Sequence, residues 1–114
     1  MKIWLDDERR EPEGFIRTKT AEETIEFLKL GEVTYIGFDH DLGTKMTGHD
    51  VALWIEKEAA NNEDFRVPAF AIQSANKVGT ANIEATMKSA RKICKNPHDE
   101  LPWWELVRHG AVRL

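Results

Sequence analysis

At 114 residues the chain is long enough for one domain with a real hydrophobic core. Its 41% hydrophobic and 32% charged residues indicate a soluble globular protein, and a net charge of −4 argues against non-specific DNA binding. The single cysteine, Cys94, excludes an intramolecular disulfide, and no stretch resembles a signal peptide or a membrane span. We therefore expect a cytoplasmic protein.

The first third of the chain predicts two strands and a helix. Residues 2–5 form an apolar run that ends at acidic residues, and residues 15–18 form a second short run. A helix is expected to begin at Thr20, whose hydroxyl caps it while Glu23 returns the bond, and to end at Gly31 in the left-handed conformation. The connection between these two strands is too short for a helix, so the first crossover helix is expected to be missing.

The remaining residues continue the alternation of strands and helices. We predict a strand over 33–38, a helix over about 49–61, a strand over 67–72 and a helix that begins near Thr80. Residues 95–114 are expected to form an irregular C-terminal extension of the same domain. It contains Trp103-Trp104 and has candidate short strands at residues 106–107 and 111–114.

Strands that alternate with helices predict a parallel α/β sheet with right-handed crossovers. In such a sheet, ligands bind at the carboxyl ends of the strands. The residues that follow each strand are therefore the candidates for a functional site.

Polar side chains follow three of the predicted strands. They are Asp6 and Asp7, then Asp39, His40 and Asp41, then Ser74 and Asn76. Hard oxygen ligands suit Mg²⁺ or Mn²⁺, which prefer carboxylates and keep some of their water. We expect the metal ligands to be Asp6, Asp7, Asp39 and Asp41. Two alternatives remain open: the acids face water, or the serine and asparagine only bond their local backbone.

Three motifs carry a resemblance to a known family. Leu5-Asp6-Asp7-Glu8-Arg9, Phe38-Asp39-His40-Asp41-Leu42-Gly43 and Ser74-Ala75-Asn76 look like the cyclic-phosphate-processing receiver domains, over roughly residues 1–92. This family is related to the receiver domains of response regulators. The resemblance implies a three-layer, receiver-like (flavodoxin-like) fold around a parallel sheet. In this sheet we expect the first strand to lie between the strand at Phe15 and the strand at Tyr35, with the strand at Val67 beyond the latter. The resemblance also implies that acids such as Asp6, Asp7 and Asp39 bind Mg²⁺ beside a hydroxyl from Ser74.

The chain departs from ordinary receivers in ways that bear on function. No strand that ends in the receiver's usual Lys is evident after the third helix, and Lys77 is the candidate for a cation from another position. His40 and Asp41 add groups that a signalling receiver does not need. These departures favour a site with its own chemistry over a phosphorylation switch.

The motifs suggest roles for individual residues. His40 can exchange a proton near neutral pH, and Ser74 and Asn76 can bond phosphoryl oxygens. We expect the catalytic residues to be Asp39, His40, Ser74 and Asn76. Arg9 and Lys77 are the candidates for binding an anionic substrate. The alternative for His40 is that it orients a carboxylate or faces solvent.

Two functions of different classes follow. The leading hypothesis is a Mg²⁺- or Mn²⁺-dependent phosphoesterase that acts on cyclic or terminal phosphates of a nucleotide or an RNA end. The alternative is a non-catalytic, receiver-like module that binds a protein partner through an acidic, metal-binding face. Neither hypothesis involves a membrane.

Overall fold

The computed structural model describes residues 1–99, in which four parallel strands form one sheet and three helices connect them. In chain order the elements are β1 (Lys2–Leu5), β2 (Phe15–Thr18), α1 (Ala21–Lys29), β3 (Tyr35–Phe38), α2 (Gly48–Asn61), β4 (Ala69–Ile72) and α3 (Lys77–Ile93). The strand order is β2-β1-β3-β4, and all neighbours are parallel. The predicted α/β class, the receiver-like sheet and the strand order are confirmed.

The connection between β1 and β2 is a loop. Residues 6–14 contain bends and turns but no helix, which confirms that the first crossover helix is missing. Parallel strands usually need a longer crossover, most often a helix. Here side chains from the strands hold the loop: Arg17 Nε donates to the Asp6 carbonyl at 3.1 Å, and Trp4 Nε1 donates to the Arg9 carbonyl at 3.0 Å.

The two faces of the sheet carry separate buried clusters, because alternate strand residues point to opposite sides. On one face, Ile3, Leu5, Ile36 and Phe38 form a cluster with buried residues of all three helices. The second cluster consists of strand residues: Trp4, Phe15, Tyr35, Ala69 and Ala71. Within residues 1–99, the buried residues of the three helices thus belong to the first cluster.

The caps of α1 largely follow the prediction. Thr20 Oγ1 accepts a hydrogen bond from the Glu23 backbone N–H at 3.1 Å. The Glu23 carboxylate accepts from the Lys19 N–H at 3.0 Å, and not from the N–H of Thr20, the next residue, as a capping box predicts. Gly31 follows the helix with a φ of +78°, the left-handed conformation that glycine adopts at low cost.

Other boundaries differ from the prediction by a few residues. The start of α3 near Thr80 was wrong: the helix begins at Lys77, because Asn76 is its N-cap. Strands β3 and β4 begin at Tyr35 and Ala69, two residues later than predicted. For β4, the preceding residue is Pro68, which has no N–H to donate to a neighbouring strand.

Cys94 is a buried free thiol. Its Sγ donates to the Phe65 carbonyl at 3.3 Å and accepts from the Val67 N–H at 3.4 Å. Within residues 1–99, no helix is both long and apolar enough to cross a membrane. The candidate strands at 106–107 and 111–114 and the Trp103-Trp104 pair lie outside the described residues.

Candidate metal and phosphate site

Three carboxylates meet where β1 and β3 end. Asp6 and Asp7 follow β1, and Asp39 follows β3, which is the direct neighbour of β1 in the sheet. Each residue offers a ligand atom, and the three atoms all lie within 4.8 Å of one another. This spacing allows one ion to contact all three residues, so the cluster can hold a metal as the acidic site of a receiver domain does.

The Asp6 carboxylate is held in one orientation by the loop that follows it. Its side chain is fully buried, and Oδ1 accepts from the backbone N–H groups of Glu8 at 2.9 Å and Arg9 at 2.8 Å. Oδ2 remains directed at the Arg9 side chain, with Nη1 at 3.2 Å. The short loop thus presents one carboxylate oxygen to the site and uses the other for its own turn.

Asp39 is buried and electrostatically unfavourable as an anion. Only 5% of the residue is exposed. Burial is the main cause that raises the pKa of Asp39, and the nearby Asp6 charge raises it further. Hydrogen bonding from the Ser74 hydroxyl, the Arg9 charge and the backbone N–H of His40 oppose this rise without cancelling it. A divalent cation would favour the ionised carboxylate here.

Asp7 provides the clearest sign that the cluster fits a cation. Its Oδ1 is buried and has no hydrogen-bond partner in the described part of the chain. A buried carboxylate oxygen without a partner is costly, because it has lost water and gained nothing in exchange. The backbone of Gly43, at a φ of +68°, lies against the same side chain, since a Cβ on that glycine would lie 3.4 Å from Asp7 Oδ2.

Arg9, predicted to bind substrate, contacts the acidic cluster itself. Its Nη1 lies 3.2 Å from Asp6 Oδ2 and 3.6 Å from Asp39 Oδ2. The side chain is nevertheless 42% exposed, so the guanidinium lies at the mouth of the site. Substrate binding by Arg9 stays a prediction.

His40, Asp41 and Asn76 form a second polar group beside the carboxylates. His40 Nδ1 lies 2.8 Å from Asp41 Oδ1, and Asn76 Nδ2 donates to both Asp41 oxygens at 3.2 and 3.3 Å. The His40 contact, followed by the Asn76 contact, lowers the pKa of Asp41. Asp41, expected to be a metal ligand, lies outside the three-carboxylate cluster and contacts the imidazole instead.

Ser74 and Asn76 make the local backbone bonds that the sequence left open as an alternative. Ser74 Oγ accepts from the Asn76 N–H at 3.2 Å, and Asn76 Oδ1 accepts from the Gly79 N–H at 2.8 Å. Asn76 also reaches the site, because its amide bonds Asp41, and the Ser74 hydroxyl lies close enough to Asp39 to lower the pKa of that carboxyl. The expected role of both residues at a phosphoryl oxygen stays a prediction.

Two glycines that the sequence analysis did not assign to the site allow close approaches within it. A Cβ at Gly79 would overlap the His40 ring, and a Cβ at Gly48 would overlap the Asp39 carbonyl oxygen. Gly48 N–H also donates to the His40 carbonyl at 3.0 Å, so α2 begins directly against the site. Neither requirement has a signal in a single sequence, because both arise from residues that are brought together only by folding.

Lys77 is exposed at the first turn of α3. Within residues 1–99 the lysine forms no ion pair with Asp6, Asp7 or Asp39. Its predicted contact with substrate therefore stays a prediction that rests on its position beside Asn76 alone.

Comparison with protein-family models matches residues 1–89 to the family described as the cyclic-phosphate processing receiver domain. The match covers the four strands, the loop that carries the acidic residues and most of α3. Comparisons with curated proteins and with solved structures gave no significant match.

Proposed function

This chain belongs to the cyclic-phosphate processing receiver family, and we propose that it is a metal-dependent phosphoesterase. Its substrate would be a cyclic or terminal phosphate on a nucleotide or an RNA end. The observation that carries the proposal is the buried, unpartnered Oδ1 of Asp7 beside Asp6 and Asp39 in the described residues. Three acids this close, one of them with an oxygen that the protein leaves unsatisfied, are the arrangement expected of a cation site.

Asp6, Asp7 and Asp39 are the residues that would hold the ion. Their donor set consists of hard carboxylate oxygens, which favours Mg²⁺ or Mn²⁺ over softer metals. When bound, the ion would polarise a phosphoryl oxygen and offset the negative charge of the phosphate. Asp41 is better suited to a second role, because its carboxylate already bonds His40 and Asn76.

His40 would give its proton to the oxygen that leaves when the phosphate ester opens. Its Nδ1 is engaged by Asp41 at 2.8 Å, so Nε2 is the ring nitrogen available to a substrate. Asp41 contacts the ring through Nδ1, and the ring also packs against Gly79, where a Cβ would overlap it. A fixed ring is what general acid catalysis needs, because the proton must be positioned before the bond breaks.

Ser74 and Arg9 would bind the phosphate. The Ser74 hydroxyl already reaches Asp39, and the Arg9 guanidinium lies at the mouth of the same cluster. Arginine suits this role because its planar donors match the oxygens of a phosphate.

The competing proposal is a non-catalytic adaptor that binds a protein partner through its acidic face. One observation favours it: the described sheet ends at β4, so residues 1–99 do not contain the strand on which receivers carry their switch lysine. A receiver without that switch retains an acidic, metal-binding surface that a partner can recognise.

A hydrolysis screen separates the two functions. Purified protein would be tested with 2′,3′-cyclic nucleotides and with RNAs that end in a cyclic or a terminal phosphate, in Mg²⁺, Mn²⁺ or EDTA. We expect hydrolysis that needs the ion and that Asp39→Asn removes. Asp64→Asn, the same change at an exposed residue after α2, should have no effect. No turnover with any substrate and ion, together with ion-dependent capture of one protein, would favour the adaptor.

A further inference from the structure

Arg9 lies where a cation bound by the acidic cluster would compete with it. Its Nη1 contacts Oδ2 of Asp6 and Oδ2 of Asp39, one carboxylate from each strand end. Asp6 Oδ1 is already taken by two backbone N–H groups, so Oδ2 is the Asp6 oxygen that remains for a metal. The guanidinium and a metal would therefore share the same oxygen.

The guanidinium is an incomplete substitute for a metal ion. It carries one positive charge among three carboxylates, and it leaves the buried Oδ1 of Asp7 without a partner in the described part of the chain. A small divalent ion carries twice the charge and can contact all three residues, whose ligand atoms lie within 4.8 Å of one another.

The Arg9 side chain can leave the cluster without disturbing the loop. The backbone of Arg9 is fixed at both ends of the residue, by Asp6 Oδ1 at its N–H and by Trp4 Nε1 at its carbonyl. The side chain is 42% exposed and lies at the mouth of the site. Its guanidinium can thus exchange the carboxylates for solvent, or for a bound anion, by rotation of side-chain bonds alone.

We infer that Arg9 is a built-in counterion that a divalent metal displaces, and that the displaced guanidinium then binds the phosphate group of the substrate. This inference rests on the metal site of the proposed function. Metal and phosphate binding become coupled through one residue: without metal, Arg9 is occupied by Asp6 and Asp39, and with metal it is available. The site then acquires its phosphate-binding residue only when the ion is in place.

Arg9→Gln is the direct test, and the chain provides a matched control in Arg10→Gln. Arg10 is the next residue, is exposed and carries the same charge, but within the described residues it forms no ion pair with the cluster. Calorimetry would give the affinity of each variant for Mg²⁺ and Mn²⁺, and the affinity for inorganic phosphate with and without Mg²⁺. Arg9→Lys keeps the positive charge and serves as the folding-competent variant if Arg9→Gln is unstable.

The displacement of Arg9 predicts the following results. Arg9→Gln should bind the metal about tenfold more tightly than the native protein, because a charge-assisted contact no longer opposes the ion. The metal-loaded variant should bind phosphate about tenfold more weakly. Arg10→Gln should change neither value, and Arg9→Lys should keep the metal affinity near native. In the native protein, phosphate should bind far more tightly with Mg²⁺ than without it.

The outcomes separate this inference from the proposed function. Equal or weaker metal binding by Arg9→Gln, with metal bound by the native protein, overturns the displacement of Arg9 and leaves the metal site intact. A native protein that binds neither ion overturns both. For the native protein, the Arg9 Nε–H signal in an NMR spectrum, assigned from Arg9→Lys, should shift on Mg²⁺ addition, and an unmoved signal contradicts displacement.

Discussion

The imidazole of His40 lies directly against Gly79, so that even a methyl group at residue 79 would overlap the ring. His40 follows β3, and Gly79 is in the first turn of α3. The absence of a side chain at one residue therefore determines where the ring of the other can lie.

Gly79→Ala should displace His40. Alanine inside a helix is usually more favourable than glycine by about 1 kcal/mol. If nothing lay next to residue 79, the Gly79→Ala protein would therefore be more stable than the native one. Overlap with the ring should instead cost about 1–3 kcal/mol of unfolding free energy and lower turnover, with metal affinity retained. Thermal melts and calorimetry would measure these values. Val78→Ala, at a neighbouring residue that is 73% exposed, is the control. A Gly79→Ala protein as stable and active as the native one would contradict the contact.

Asp39→Asn should stabilise the metal-free protein at neutral pH. The pKa of Asp39 is raised in the fold, chiefly by burial, so the folded state favours the protonated carboxyl. Protonation of Asp39 therefore stabilises the fold fully below the ordinary pKa of 3.8. This stabilisation is lost as the pH rises through the raised pKa of Asp39 in the folded state. The melting temperature of Asp39→Asn in EDTA should exceed that of the native protein at pH 7, and the difference should shrink toward pH 4. A difference that does not depend on pH would contradict this account.

Mg²⁺ or Mn²⁺ should raise the melting temperature of the native protein. An ion at about a hundred times its dissociation constant stabilises a protein by about 2.7 kcal/mol, which for a domain of this size is a shift of roughly 10 °C. Asp7→Asn should remove most of that rise, because its buried Oδ1 is the oxygen that the protein leaves unsatisfied. Asp64→Asn should keep the full rise. An equal rise in Asp7→Asn would mean that the ion binds elsewhere.

His40→Asn separates proton transfer from metal binding. The change keeps a polar group of similar size but removes the imidazole that would transfer the proton, and it should lower turnover by about 10²- to 10⁴-fold. The variant should fold and should bind Mg²⁺ with native affinity, since His40 is not one of the three clustered carboxylates. Rate measurements under saturating Mg²⁺ test this expectation. Unchanged hydrolysis would reduce His40 to a structural residue.

Asp41→Asn should act through His40. Its carboxylate bonds the imidazole and the Asn76 amide, and these contacts hold the pKa of Asp41 below its ordinary value. We therefore expect a smaller loss of turnover than in His40→Asn and an altered pH profile of the rate, with metal affinity unchanged. A large loss of metal affinity in Asp41→Asn would restore the predicted role of Asp41 as a ligand.

The sequence was sufficient for the sheet and for the location of the acidic site. The missing helix follows from the short connection between the first two apolar runs, and the strand order follows from the resemblance of the three motifs to receiver domains. The meeting of Asp6, Asp7 and Asp39 follows as well, because parallel strands place their carboxyl ends at one edge.

The contacts within the site could not be predicted in the same way. Asp41 faces His40 and Asn76, and the Arg9 side chain faces Asp6 and Asp39, for reasons that depend on side-chain directions after folding. The N-cap role of Asn76 could have been predicted, since asparagine is among the preferred N-cap residues. Its position just after a strand and close to Ser74 instead suggested that its side chain bonds a phosphoryl oxygen. The helix start near Thr80 was wrong for that reason.

The loop that replaces the first crossover helix has a consequence for the dynamics of the sheet. Residues 6–14 carry the acidic pair and Arg9, and they also lead into β2, which is the edge strand of the described sheet. Asp6 connects the acidic cluster to β2, because its carboxylate lies in the cluster and its backbone carbonyl accepts a hydrogen bond from Arg17 of β2. Fraying of the edge strand and occupancy of the site are thus coupled equilibria. Amide hydrogens of β2 should exchange more slowly when the site is filled, although no atom of that strand belongs to the acidic cluster.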